Sequence, residues 1–155
     1  MLCFKTISSP IGSLTLTEED GVLRRLDFGR VSGLAQAVPG DSPLLALAES
    51  QLREYFAGGR REFSIPFALS GTPFQQKVWA ELAKIPYGTV CTYGDLARAI
   101  GKPQAFRAVG GANHRNPISI IVPCHRVIGQ DHSLTGYGGG LQTKEFLLKL
   151  EGVTL

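Results

Sequence analysis

At 155 residues, 43% hydrophobic and 19% charged, the chain has the make-up of one ordinary globular domain or two small ones, which excludes a disordered polymer. No apolar stretch approaches the roughly 20 residues of a membrane span, and the start Met1-Leu-Cys-Phe-Lys lacks the basic-then-apolar order of a secretion signal. A cytoplasmic protein with no membrane association is therefore expected. The formal net charge of +3 is too small to argue for a nucleic-acid partner by itself. Three cysteines, at 3, 91 and 124, form an odd set without C-x-x-C spacing, which argues against disulfides. With only three histidines and no cysteine pair, the sequence points to no structural zinc, and neither a metal nor a cofactor is expected.

In chain order, Phe4 to Ile7, Ser13 to Thr17 and Val22 to Phe28 alternate in strand fashion. The turn signals Ser9-Pro-Ile-Gly and Glu18-Glu-Asp-Gly separate them, so a three-stranded antiparallel meander is expected. Ser42-Pro43 supplies a helix cap and first-turn proline, and Leu44 to Phe56 has helical periodicity that stops at Gly58-Gly59. Gly71-Thr72-Pro73 breaks the chain and starts a helix, which divides it into residues 1–70 and 71–155. Phe74, Val78, Trp79, Leu82 and Ile85 then share one face, and Pro86-Tyr87-Gly88 ends the helix.

Thr92 and Asp95 have capping-box spacing and begin a helix that runs to about Ile100. Gly101 ends it, and a second helix follows from Gln104 to about His114. Such a pair has the pattern of a helix-turn-helix, which is common without DNA. The second helix is mostly small residues around one long basic side chain, Arg107. Glycines inside a helix cost about 1 kcal/mol each relative to alanine. Tight helix packing or close approach to a nucleic-acid groove would offset Gly110 and Gly111.

From Leu96 to Gln130 there is no acidic residue, while Arg98, Lys102, Arg107, Arg115 and Arg126 are basic. Residues 1–69 carry seven Lys/Arg against eight Asp/Glu. A basic block confined to one part of a chain fits a polyanion partner, or simply a solvated face. Ile118 to Val122, an apolar run between prolines, is expected to be a buried strand. A glycine-rich stretch, Gly136-Tyr-Gly-Gly-Gly, precedes a last helix from about Gln142 to Leu150.

Cys124 follows Pro123 and precedes His125 and Arg126. A nucleophilic cysteine needs nearby positive charge or a histidine base, both present here; the bland alternative is a buried structural thiol. Adjacent side chains tend to point apart, so the imidazole would need a bridging water or a sharp turn to act on the sulfur.

Pro123-Cys-His-Arg-Val, preceded by Arg107-Ala-Val-Gly-Gly and Asn116-Pro117 and followed by Tyr137-Gly-Gly-Gly, resembles the O6-alkylguanine-DNA alkyltransferases. The likeness runs from Thr72 to Gly152 in unbroken order. In residues 1–69 it rests on the Ser-Pro-Ile-Gly turn and the Leu52 to Phe56 helix end. It implies an α+β protein: a ribonuclease H-like N-terminal sheet with a helix, supporting a C-terminal winged helix-turn-helix-like domain that carries the chemistry.

By the same resemblance the partner is double-stranded DNA carrying O6-alkylguanine, with O4-alkylthymine a further candidate. The damaged nucleotide leaves the stack, because its O6 substituent cannot be attacked there. Cys124 takes the alkyl group once and irreversibly. His125 matches the base acting through water, Glu151 the carboxylate orienting it, and Asn116 the residue holding the active-site turn. Glu151 as a helix-end charge and Asn116 as a turn starter are the plain alternatives.

Tyr93 matches the residue that helps rotate the nucleotide and protonates the leaving guanine, and Arg107 the finger filling the vacated space. Ala105, Ala108, Gly110, Gly111 and Arg115 complete the expected DNA face. Val127, Tyr137, Gly138 and Gly139 match the base pocket; Gly138 stands where some relatives carry serine, which leaves only a backbone amide there. Cys3 and Cys91 are expected in the core. A monomer is the expectation, with cooperative loading on DNA the open alternative. A lesion-binding module without catalysis would replace Cys124, and a winged-helix regulator would not need Asn116, His125, Tyr137 and Glu151 together.

Overall fold

The computed structural model describes residues 2–30 and 37–154. The chain divides into two compact units, residues 1–69 and 70–155. Together they form a mixed α+β protein.

In the first unit, β1 (Leu2–Ser9), β2 (Gly12–Glu19) and β3 (Val22–Phe28) make an antiparallel meander. The connection between β2 and β3 is set by local turn chemistry. Asp20 and Gly21 take φ of 53° and 80°, the paired left-handed geometry that matches hairpin twist. A short β4 (Ala37–Pro39) adds to the sheet parallel to β1, giving the order β3-β2-β1-β4. The sequence gives no sign of it, because three residues cannot show a period.

Helix α1 (Pro43–Phe56) packs against β1, β2 and β3 with Leu44, Leu45, Ala48, Leu52 and Tyr55 buried. The Ser42 side chain accepts from Leu45 N, satisfying one of the orphan donors of the first turn.

In the second unit, α2 (Pro73–Leu82) and α3 (Tyr93–Ala99) each open with a full capping box, Thr72 with Gln75 and Thr92 with Asp95. Helix α4 (Phe106–His114) starts two residues later than the periodicity suggests, because residues 102–105 form a turn closed by Ala105 N donating to Lys102 O. The α2, α3 and α4 helices pack on one another, and Trp79 Nε1 donates to Ala112 O at 2.9 Å, tying α2 to α4. A two-stranded parallel pair, β5 (Cys91–Thr92) with β6 (Val127–Ile128), leads into α3, and α5 (Leu141–Leu150) follows.

Residues 118–122 are not the expected strand. They are a tight buried turn in which Ile121 N donates to Ser119 O and Val122 N to Ile118 O. Ile120 sits at φ 74°, a region that β-branched residues seldom enter, so its surroundings must hold it there. The apolar run reflects burial, with Ile118, Ile120 and Val122 all enclosed, and not strand pairing. Among the described residues, no helix is long and apolar enough to cross a membrane.

Candidate active site

The turn at 118–122 delivers Cys124 to the first position of a 3-10 helix, Cys124–Arg126. Asn116 holds the turn from inside. Its Nδ2 donates to Val122 O at 2.7 Å, while its Oδ1 accepts from Ile118 N at 3.0 Å. One buried amide thus bridges the two ends of the segment and offsets the strain at Ile120. Asn113 of α4 adds a long contact, Nδ2 to Cys124 O at 3.5 Å.

Cys124 itself is buried, with Sγ 3.9 Å from Ser119 Oγ. Burial pushes its thiol above the ordinary value, and hydrogen bonding from Asn116 and Ser119 with the Lys144 charge pulls it part of the way back. A resting thiol in this place needs a base to remove its proton.

The imidazole of His125 is fully enclosed. Its Nε2 donates to Glu151 Oε2 at 2.7 Å. Arg126 grips the same carboxylate from the side, Nε to Oε1 at 2.8 Å and Nη2 to Oε2 at 3.0 Å, while its Nη1 donates to Ile85 O. An ionised carboxylate only accepts, so this arrangement puts the imidazole proton on Nε2 and leaves the Nδ1 lone pair available. Nδ1 has no hydrogen-bond partner among the described residues. Burial holds His125 below its ordinary value, and Glu151 opposes that shift in part. The neutral ring is the resting form, which is the form a general base requires.

Gly88 also donates its amide to Glu151 Oε1 at 3.3 Å. At φ 78°, and with a side chain there meeting Glu151 O at 3.2 Å, only glycine fits comfortably.

On the far side stands Lys144 of α5, fully buried, with Nζ donating to Thr135 O at 2.7 Å. Burial lowers its amine to about 8, and the charge of a Cys124 thiolate opposes that shift. Tyr93, the first residue of α3, is half-buried. Its hydroxyl accepts from Thr135 Oγ1 at 3.3 Å, and its ring lies within van der Waals range of a side chain built at Gly110.

Residues 2–69 match the family described as the ribonuclease-like domain of 6-O-methylguanine DNA methyltransferase, and residues 73–153 match its DNA-binding domain. The chain belongs to the 6-O-methylguanine DNA methyltransferase family. The constitutive methylated-DNA–protein-cysteine methyltransferase of Bacillus subtilis is 46% identical, covering 97% of this chain and 96% of the relative. Its counterpart from Mycobacterium tuberculosis is 49% identical over 97% of this chain and 93% of the relative. The crystal structure of Mycobacterium tuberculosis OGT in complex with DNA superposes with a TM-score of 0.91 at 50% identity, covering 96% of this chain and 92% of that one.

Within this family member, the structure brings Cys124, His125, Asn116 and Glu151 into one buried cluster. Val127 and Tyr137 are buried, while Gly138 is exposed and Gly139 half-exposed. Arg107, Ala108, Gly111 and Arg115 lie exposed on or just beyond α4, with Ala105 and Gly110 half-exposed. A side chain at Gly111 would meet nothing within 4 Å, so internal helix packing does not account for that glycine.

The acid-free stretch is less uniform than its composition suggests. Arg126 is committed to Glu151, and Arg98 pairs with Asp95. Cys3 and Cys91 are half-buried, not core, and burial with Asp95 raises the Cys91 thiol to about 11.

Sequence reasoning missed the parts played by Arg126, Ser119, Thr135 and Lys144. Lys144 left a signal: it stands three and four residues before Leu147 and Leu148 and seven before Glu151, on the buried face of α5.

Proposed function

We propose that this protein repairs alkylated DNA by direct reversal, moving a methyl or other alkyl group from O6 of guanine to Cys124 in a single turnover. The observation that carries this is the buried His125–Glu151 pair beside Cys124, in a chain that matches methylated-DNA–protein-cysteine methyltransferases over nearly its whole length.

The polarity of the cluster supports a relay. Glu151, fixed by Arg126, keeps the proton on His125 Nε2, so Nδ1 takes the Cys124 proton through one water. The thiolate attacks the alkyl carbon, the carbon–O6 bond breaks, and the departing guanine takes a proton from the Tyr93 hydroxyl. A carbon–sulfur bond remains on Cys124, a thioether that neither an imidazole nor a second thiol cleaves, so each chain acts once.

DNA is the partner, in keeping with the DNA-binding domain matched by residues 73–153 and with the DNA complex of the mycobacterial relative. The exposed face of α4 meets the duplex. Small residues there permit close approach, Arg107 fills the space left by the rotated nucleotide, and Arg115 lies against phosphate. The flipped base sits between Val127 and the 137–139 loop. Residues 71–155 carry the chemistry and residues 1–70 support them. The active species is the monomer.

Intact-mass measurement after mixing with a duplex containing O6-methylguanine tests the reading. One methyl group per chain is expected, mapped to Cys124 and absent from Cys124→Ala. An unmodified wild-type protein that still binds the lesion would overturn alkyl transfer in favour of lesion binding alone.

A further inference from the structure

Lys144 is the most unexpected side chain in the second unit. A lysine amine without exposure is rare unless something holds it, and among the described residues Lys144 forms no ion pair. Its ammonium is directed instead to a single backbone acceptor, Thr135 O at 2.7 Å. That bond fixes residue 135 in the long loop between β6 and α5, the same loop that carries Tyr137, Gly138 and Gly139.

With its backbone fixed, Thr135 turns its hydroxyl toward Tyr93 and donates to the phenol oxygen at 3.3 Å. The contact is longer than an ordinary O–H···O bond, as is common for groups that tighten only when substrate is present. A hydroxyl that donates to the phenol oxygen occupies its lone pair and leaves the phenol proton free to point elsewhere. The ring lies near Gly110 of α4, where an added side chain would come into van der Waals range of it.

We propose that Thr135 and Lys144 are positioning residues for Tyr93: buried Lys144 pins the Thr135 backbone so that the Thr135 hydroxyl orients the Tyr93 phenol for proton delivery to the departing base. This rests on the alkyl-transfer reading above and adds residues outside the hydrogen-bonded His125–Glu151–Arg126 cluster. The Cys124 thiolate strengthens the device, because its charge favours the protonated form of the buried amine.

Single-turnover transfer from an O6-methylguanine duplex, measured over a range of protein concentrations, separates DNA binding from the transfer rate. Thr135→Val keeps the shape and removes the hydroxyl; it should slow transfer about threefold to tenfold, the worth of one hydrogen bond, at unchanged DNA affinity. Thr135→Ser should restore the rate. Tyr93→Phe should be slow by itself, and Thr135→Val added to it should cost nothing further. In Lys144→Met the effect of Thr135→Val should shrink, since the loop is no longer pinned.

A Thr135→Val protein as fast as wild type, or one that loses the same factor with and without the Tyr93 hydroxyl, overturns the proposal. So does a Tyr93→Phe protein with the wild-type rate. Methyl uptake by the wild-type chain, read by mass in the same samples, separates the two ideas. If wild type takes a methyl and Thr135→Val is unaffected, only the positioning role falls. If wild type takes none, the alkyl-transfer reading falls and this one with it.

Discussion

Glu151 is the residue on which the two buried side chains that follow Cys124, His125 and Arg126, converge. Its two oxygens accept from His125, twice from Arg126, and from the Gly88 amide. Apart from the family resemblance, nothing about a glutamate at the end of a C-terminal helix marks it out in the sequence, where it reads as an ordinary helix-end charge.

Glu151→Gln separates its two roles. The amide leaves the Arg126 guanidinium buried with no counter-charge, so stability measured by urea unfolding should fall by about 3–5 kcal/mol. The amide nitrogen also donates where the carboxylate only accepts, which removes the reason for the imidazole proton to reside on Nε2. Methyl transfer should therefore slow by about 100-fold or more, while binding to the lesion duplex is retained. A destabilised variant that transfers at the wild-type rate would leave Glu151 with a structural role only.

At the scale of elements, the sequence was most legible where local chemistry alone decides the conformation. The capping pairs Thr72/Gln75 and Thr92/Asp95, the Asp20-Gly21 hairpin and the periodic face of α1 all depend on neighbours within four residues. Residues 118–122 were misleading because a buried turn and a buried strand are equally apolar, and the deciding partner is a side chain, Asn116, outside the run. The burial of Lys144 and of Arg126 was hidden for a related reason: charges default to the surface, and only tertiary packing brings them in. The Cys124 thiol, His125 and the small-residue helix were legible, but their joint chemistry was read through family resemblance.

The open space beyond Gly111 leads to a prediction about α4. Gly111→Ala should leave the fold as stable or raise it by about 0.5–1 kcal/mol, because a helix interior favours alanine and no neighbour is crowded. If the glycine exists to admit a nucleic-acid backbone, the same change should weaken duplex binding several-fold. A thermal-melt and DNA-titration pair reads both quantities; unchanged DNA affinity would remove α4 from the contact surface.

For the molecule as a whole, the excess of positive charge matters less than where it remains free to act. Of the five basic residues in the acid-free stretch, Arg126 lies in the core on Glu151 and Arg98 is paired with Asp95, while the Lys102 amine stands over the Phe74 ring. Arg107 and Arg115 remain exposed at α4. If the α4 face meets the duplex as proposed, these few free charges make affinity depend only modestly on salt, because each phosphate neutralised contributes about 0.9 to the slope of log K against log salt. The two arginines should then behave differently. On the proposed interface Arg115 faces phosphate, so Arg115→Ala should weaken binding to damaged and undamaged duplex alike and lower the salt slope by about 1. Arg107→Ala should instead slow repair of duplex DNA while largely preserving reaction with free O6-benzylguanine base, which has no stack to leave and no space to fill. Titrations at several salt concentrations, run beside Cys124 labelling by the free base, distinguish the two. Equal loss of Arg107→Ala activity on duplex and free base would place that side chain at the chemistry and not in the DNA stack.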